Sequence, residues 1–255
     1  MSLWPNAIWL NVSPALQHFD RPLLRYFSGR AAIRQWQYRQ DPDAASSLDA
    51  AIALLHDFLK AAPHPVHLVG HGTSGLLGWC YARKQPERVR SLTLLGVGAE
   101  PAVNWQAHYY AYYRQVPCSR QMALTQMARA LVGNRSRREL AGLVQCLQRD
   151  AIASPSPHSL LQRASLPRGG VAVPLLACGS QDDAIADPSA LQRWQPWLKP
   201  GDRLWQCPGG AHLFHYAYPQ RVGARILEFW RAQANAASPP AASAANATMA
   251  AQERG

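Results

Sequence analysis

The chain has 255 residues, of which 48% are hydrophobic and 16% are charged, and its formal net charge at pH 7 is +11. This composition is typical of a globular protein and argues against a disordered or fibrous chain. No apolar run reaches the roughly 18 residues that a membrane span needs, and the first residues lack the pattern of a secretory signal. We therefore expect a cytoplasmic protein with no transmembrane segment.

The cysteines and the net charge indicate which kinds of metal site, cofactor and partner to expect. Five scattered cysteines, an odd number, indicate reduced thiols and not a disulfide framework or a zinc site. The sequence has no glycine-rich phosphate loop and no metal-ligand spacing, so we expect neither a cofactor nor a metal. The positive charge favours acidic partners. Since no nucleic-acid-binding motif is present, a nucleic-acid partner is not expected.

Along the first part of the chain, short apolar runs alternate with helical patterns, which predicts a parallel α/β sheet. Residues 7–12 predict a first strand, and an amphipathic segment at 16–27 follows it. Residues 32–38 alternate apolar and polar positions, as a half-buried or edge strand does. A helix is predicted at 46–62, and a buried strand at 66–70 turns directly into another helix.

The second part continues this pattern after a long insertion. Strands are predicted at 91–98, 173–179 and 203–207, and a closing helix at 219–232. Between the first two of these strands, helical patterns occur at 103–114, 118–132, 136–150 and 157–164. The tail, 233–255, is rich in alanine, serine and proline without apolar periodicity, and we expect it to be disordered.

The segment "HLVGHGTSGLLGWCYARKQPERVRSLTLLGVG" (67–98) resembles the nucleophile-elbow region of the α/β-hydrolase fold. Two later segments agree in order: "LLACGSQDD" (175–183) resembles the strand and turn of the family's acid, and "PGGAHLFHYAYPQRVGARILEFW" (208–230) its histidine loop. The resemblance implies Asp182 as the acid and His212 as the histidine. It also implies an α/β-hydrolase core at 1–98 and 171–232, with a helical cap at 99–170.

The chain departs from the family's pattern where the chemistry would occur. The family's nucleophilic serine falls on Gly72, which has no side chain with which to attack. The resemblance implies oxyanion donors at the amides of Thr73 and Val12, but a β-branched residue such as Val12 suits a tight loop poorly. Ser74 is better interpreted as a small residue for helix–strand packing than as a displaced nucleophile.

Two functions fit these residues. The first is a non-catalytic member of the family that binds a small apolar or ester-like ligand, or a protein. The second is a serine-less hydrolase or lyase in which His212, oriented by Asp182, acts as a general base on water or substrate at the place left by Gly72.

The insertion supplies the candidate binding surface. Trp105, Tyr109, Tyr112 and Tyr113 share one face of a predicted helix, where they form the core of the cap, line a pocket or contact a partner. The same insertion is rich in arginine, which favours an acidic protein partner over other macromolecules.

Overall fold

A six-stranded, all-parallel sheet forms the centre of the molecule, as the sequence predicts. The structure is a computed structural model that describes residues 5–41, 43–44, 46–159 and 164–237. The strands are β1 (Ala7–Asn11), β2 (Ile33–Gln37), β3 (Val66–His71), β4 (Val89–Leu95), β5 (Leu175–Ser180) and β6 (Arg203–Cys207). Their order across the sheet is β2-β1-β3-β4-β5-β6. Strands β1, β3, β4 and β5 are completely buried or nearly so, because helices cover both faces.

Nine α-helices are described in this part of the chain. They are α1 (Arg21–Phe27), α2 (Leu48–Lys60), α3 (Thr73–Lys84), α4 (Trp105–Gln115), α5 (Arg120–Val132), α6 (Arg137–Ala153), α7 (Pro188–Gln192), α8 (Phe214–Ala217) and α9 (Pro219–Ala237). Short 3₁₀ helices occupy Pro14–Phe19, Pro86–Arg88 and Gln195–Trp197. Several helices begin at a side chain that accepts backbone N–H bonds, such as Ser47 of α2 and Ser136 of α6.

Two apolar clusters lie on opposite faces of the sheet. One joins α2 and α3 to the strands, with Leu55, Leu76 and Leu92 completely buried. The other joins α1 and α9 to the opposite face, where the Phe27 and Trp230 rings stack with centroids 5.6 Å apart. The sheet is therefore held between two layers of helices, and the carboxyl ends of its strands form one common edge.

Helices α4, α5 and α6 lie in the segment 99–170, between β4 and β5. They have an apolar cluster of their own, which also includes Phe19 and Leu213 from the rest of the chain. The Leu213 amide donates a hydrogen bond to the Leu131 carbonyl (3.0 Å), so α5 is tied to the loop that follows β6. The inserted helices therefore pack over the carboxyl edge of the sheet.

The structure corrects two boundaries. The helix predicted at 157–164 is absent from the described part of that stretch, and residues 160–163 lie outside the described residues. Helix α9 continues to Ala237, so the prediction that disorder starts at 233 was wrong. Alanine and glutamine favour the helix strongly enough to extend it beyond the last apolar position. The rest of the predicted tail, 238–255, lies outside the described residues.

Candidate functional site

The turn between β3 and α3 has the sharp geometry expected at the apex of an elbow. Gly72 lies in the left-handed region (φ 51°, ψ −121°), which favours glycine. Its amide donates to the Leu95 carbonyl and its carbonyl accepts from the Leu76 amide, both at 2.9 Å. A Cβ atom built on Gly72 would lie 3.7 Å from Nε2 of His212, at ordinary van der Waals distance. The apex of the turn therefore faces the histidine directly.

His212 follows a strained loop and is paired with a buried carboxylate. Ala211 has a positive φ of 52°, which is uncommon for a residue with a side chain. The Nδ1 atom of His212 lies 2.9 Å and 3.1 Å from the two carboxylate oxygens of Asp183. The side chains of both residues are almost completely buried, with exposures of 1% and 0%. The pair leaves Nε2 of His212 directed at Gly72.

The prediction that Asp182 is the partner of His212 was wrong, because the neighbouring residue, Asp183, makes that contact. Oδ1 of Asp182 accepts hydrogen bonds from the Ser180 hydroxyl (2.6 Å) and the Ala211 amide (2.8 Å). Burial alone would raise the pKa of Asp182, but these hydrogen bonds and that from the Gly210 amide lower it below its ordinary value. Asp182 therefore stabilises the backbone of the loop that carries His212.

Asp183 is also a structural residue. Its Oδ1 accepts hydrogen bonds from the amides of Ile185 (2.8 Å) and Ala186 (3.0 Å), in the loop before α7. The two adjacent aspartates thus stabilise different loops: Asp182 the loop before His212, and Asp183 the loop before α7. The prediction of Asp182 had no local signal to separate it from Asp183, because either residue of the pair in "QDD" can follow the end of β5.

The predicted oxyanion donor at Val12 was also wrong, since its amide is already used. It donates to the Ser74 hydroxyl at 3.0 Å, and the next amide, that of Ser13, donates to Oδ1 of Asn11 at 3.0 Å. The other candidate, Thr73, is the first residue of α3, where backbone N–H groups have no partner within the helix. Ser74 is buried and has this hydrogen-bonding role.

A second buried polar group, which the sequence analysis did not identify, lies beside His212. Nε2 of His215 lies 3.2 Å from Oδ1 of Asp20, and the other oxygen of Asp20 accepts hydrogen bonds from Trp9 Nε1 (2.9 Å) and Asn11 Nδ2 (3.1 Å). Asp20 and His215 are separated by 195 positions in the sequence, so no local pattern could join them.

The His71 ring lies between the two histidines, with ring centroids 4.6 Å from His212 and 4.5 Å from His215. Burial, followed by the neighbouring His215 and His212, lowers the pKa of His71 well below its ordinary value. Its Nε2 donates to the carbonyl oxygen of His212 (3.0 Å). His71 is therefore a neutral ring that fixes the backbone of His212.

A cavity of about 30 Å³ lies above the Gly72 turn. Its walls include Asn11, Asp20, His71, Trp105 and His212, besides Gly72 itself. This volume accommodates about two water molecules. It is far below the roughly 300 Å³ or more of pockets that enclose drug-sized ligands.

The four predicted aromatic residues of α4 separate into two environments. Trp105 is buried and borders the cavity above Gly72. Tyr109, also buried, packs in the apolar cluster of the inserted helices and does not border that cavity, so of the alternatives given for it the structure supports the core position. Tyr112 packs against the same cluster, and Tyr113 is 36% exposed with its ring stacked 5.9 Å from that of Tyr109. This face of α4 is therefore mainly part of the apolar cluster of the inserted helices.

No group of three or more potential metal ligands occurs among the described residues. Within that same part of the chain, no helix is long and apolar enough to cross a membrane. All five cysteines are free thiols, and burial is the main cause that raises the pKa of Cys80 to about 11.

Comparisons with known proteins identify relatives in sequence and neighbours in fold. The chain is 44% identical over 226 residues to the uncharacterized protein alr2406 of Nostoc sp. (strain PCC 7120), covering 89% of this chain and 90% of the relative. It is 46% identical over 224 residues to the uncharacterized protein sll0249 of Synechocystis sp. (strain PCC 6803), covering 88% and 89%. No protein-family model matches. Naproxen esterase from Bacillus subtilis matches in structure, with a TM-score of 0.68, 16% identity, and coverage of 90% and 85%. The fold is therefore that of the α/β-hydrolases.

Proposed function

The chain belongs to the same family as alr2406 and sll0249 and has the α/β-hydrolase fold. Within that fold, we propose that it is a non-catalytic member that binds a partner. The observation that carries the proposal is Gly72 at the apex of the elbow, facing His212 with no side chain between them. Acyl transfer on this fold requires a nucleophile at that apex.

Neither Ser74 nor Cys80 replaces the missing nucleophile. The Ser74 hydroxyl is buried and accepts the hydrogen bond of the Val12 amide. The Cys80 sulfur is a protonated thiol near neutral pH, since burial raises its pKa to about 11. Neither atom therefore supplies a nucleophile beside His212.

The stabilisation of an oxyanion is also weakened. A tetrahedral intermediate is normally held by two preorganised N–H donors, and the loss of one reduces turnover by about 10²–10³-fold. Here the Val12 and Ser13 amides donate to side chains. The Thr73 amide at the start of α3 would remain as the single donor.

The exposed side of the inserted helices supports an acidic protein as the partner. Seven arginines are exposed there: Arg114, Arg120, Arg129, Arg135, Arg137, Arg138 and Arg149. Within residues 104–154 the acids are Glu139, which caps α6 through Ser136, and the buried Asp150. In the described ion pairs, none of these arginines takes part. An excess of unpaired guanidinium groups complements a negatively charged protein surface.

One observation favours a second candidate, a hydrolase that uses water directly. Nε2 of His212 faces a cavity that holds about two waters, and Asp183 orients the ring as it would for a general base. A water in that cavity would transfer a proton to Nε2 as its oxygen attacks the carbonyl carbon of an ester. The imidazolium would then return the proton to the leaving alcohol, with no acyl-enzyme intermediate. Such an enzyme would depend wholly on His212.

Hydrolysis of p-nitrophenyl acetate, butyrate and octanoate distinguishes the two functions. We expect the native protein and His212→Ala to have the same low background rate, and His64→Ala, which removes a partly exposed imidazole, controls for nonspecific hydrolysis. Turnover that is lost in His212→Ala and kept in His64→Ala would overturn the binding proposal and establish the second candidate.

The elbow itself is tested by Gly72→Ser with a fluorophosphonate probe, and Gly72→Ala is the matched control. Since a Cβ at this position lies 3.7 Å from Nε2 of His212, the new hydroxyl should be activated and labelled. Labelling of the serine variant together with a silent native protein would mean that the elbow still presents a side chain to His212 in a reactive position. The absence of labelling would contradict our description of the elbow.

A further inference from the structure

A second pocket, of about 220 Å³, lies at the amino ends of the strands, opposite to the edge that carries Gly72 and His212. It is bordered by the starts of β1, β3 and β4 and by the last helix, α9. The side chains that give it chemical character are those of Arg30, Arg90, Arg231, His67 and Trp230. Among the described residues, none of those that border it is acidic.

Three arginines thus border one small pocket. Arg30 follows α1 and is held against it. Its Nη1 donates to the Tyr26 carbonyl (2.9 Å), and its guanidinium lies 4.6 Å from the centroid of the Tyr26 ring. None of the three arginines takes part in an ion pair with a described residue. Like charges repel, and an anion in the pocket would remove that repulsion.

Trp230 forms part of the wall of the same pocket. It is 7% exposed, and its indole N–H is covered by protein atoms, with no acceptor among the described residues, so it does not open into the pocket. The Trp230 ring is fixed between Phe27, at a centroid distance of 5.6 Å, and His67, at 5.0 Å.

His67 is neutral and adds no fourth charge to the pocket. Burial, followed by the positive charge of Arg90, lowers the pKa of His67 to about 3. Its Nδ1 lies 2.7 Å from the Ser91 hydroxyl oxygen, so this ring nitrogen is hydrogen-bonded within the fold.

We propose that this pocket binds a phosphate group, either free inorganic phosphate or the phosphate of a small phosphorylated molecule. Guanidinium groups match phosphate oxygens with paired, charge-assisted hydrogen bonds. Three arginines without a neighbouring carboxylate suit a dianion better than a single carboxylate. The pocket is also larger than a phosphate ion, which leaves room for a small organic substituent.

Isothermal titration with sodium phosphate, at constant ionic strength set with sodium chloride, tests this proposal on the full chain. We expect saturable binding with one site and no such binding of chloride. Arg90→Gln and Arg231→Gln should each weaken phosphate binding by about tenfold, the loss expected for one charge-assisted hydrogen bond. Arg25→Gln, an exposed arginine of α1 outside the pocket, is the matched control and should bind as the native protein does.

Glycerol phosphate, glucose 6-phosphate and vesicles of phosphatidic acid, titrated in parallel, distinguish the sources of the phosphate group. Equal affinities of the native, Arg90→Gln and Arg231→Gln proteins, or the absence of saturable phosphate binding, would overturn the proposal.

Discussion

Replacement of Asp150 by asparagine should make the protein more stable above neutral pH. Asp150 lies in α6 and is completely buried, with the Ser154 hydroxyl 2.6 Å from its Oδ1. Burial is the main cause that raises its pKa from 3.8 to about 7. In the unfolded chain the carboxyl loses its proton near its ordinary pKa. As pH rises from about 4 to about 7, the unfolded state is therefore increasingly favoured, and the penalty is constant at higher pH.

The difference of about three pKa units corresponds to about 4 kcal/mol of lost stability above pH 7. Asparagine keeps the shape and does not ionise, but its NH₂ group would replace Oδ2, which has no hydrogen-bond partner among the described residues. That cost, about 1–3 kcal/mol, does not depend on pH. The quantity to compare is therefore the change with pH of the difference in stability between the native protein and Asp150→Asn.

Urea unfolding at pH 4.5, 6, 7 and 8.5, followed by tryptophan fluorescence, measures this difference. We expect it to move in favour of the asparagine variant by several kcal/mol across the range. Asp187→Asn is the control with a flat profile, because hydrogen bonds from Ser189 and the Ala190 amide lower the pKa of Asp187 and its effect on stability is already complete above about pH 5. A difference between native and Asp150→Asn that stays constant within about 0.5 kcal/mol would refute the assignment of a buried, high-pKa carboxyl.

Four further predictions concern the site and the inserted helices. Gly72→Ala should destabilise by about 1–3 kcal/mol, because alanine rarely adopts a positive φ. Gly142→Ala, on the exposed side of α6 where a Cβ contacts nothing within 4 Å, should stabilise by up to about 1 kcal/mol in the same chemical-denaturation assay. Asp183→Asn should shift the ¹H resonance of the His212 Nδ1 proton, and Asp182→Asn should leave it in place, since only Asp183 contacts that nitrogen. Ser74→Ala should cost about 1–3 kcal/mol by leaving the Val12 amide unpaired, and an unchanged unfolding midpoint would contradict that hydrogen bond.

The sheet could be predicted from the sequence because its strands are short, buried and continuously apolar. Leu92, Leu94 and Leu95 of β4 are completely buried, and a parallel strand covered on both faces produces such a run. The elbow was equally local, since strand, glycine and helix follow within a few residues. The strands therefore followed from nearby residues, whereas the roles of Gly72 and His212 followed from the resemblance to the α/β-hydrolase fold.

The polar contacts of the site could not be predicted in the same way. Which aspartate of the pair 182–183 contacts His212 depends on the direction of each side chain after β5, and a change of one residue reverses it. The hydrogen bond of Val12 to Ser74 spans 62 positions, and the pair of Asp20 and His215 spans 195. Such contacts depend on the packing of the whole sheet, and a single sequence contains no local signal for them.

The intact pairing of His212 with Asp183 is not by itself an argument for catalysis. Asp183 also accepts the amides of Ile185 and Ala186, and His212 holds a loop whose backbone is strained at Ala211. Removing either side chain would leave a buried polar partner unpaired, at a cost of about 1–3 kcal/mol or more. A chain without a nucleophile would therefore still keep both residues for stability. For this reason the decisive comparison is the hydrolysis rate of His212→Ala, which measures chemistry, and not the presence of the pair, which folding alone explains.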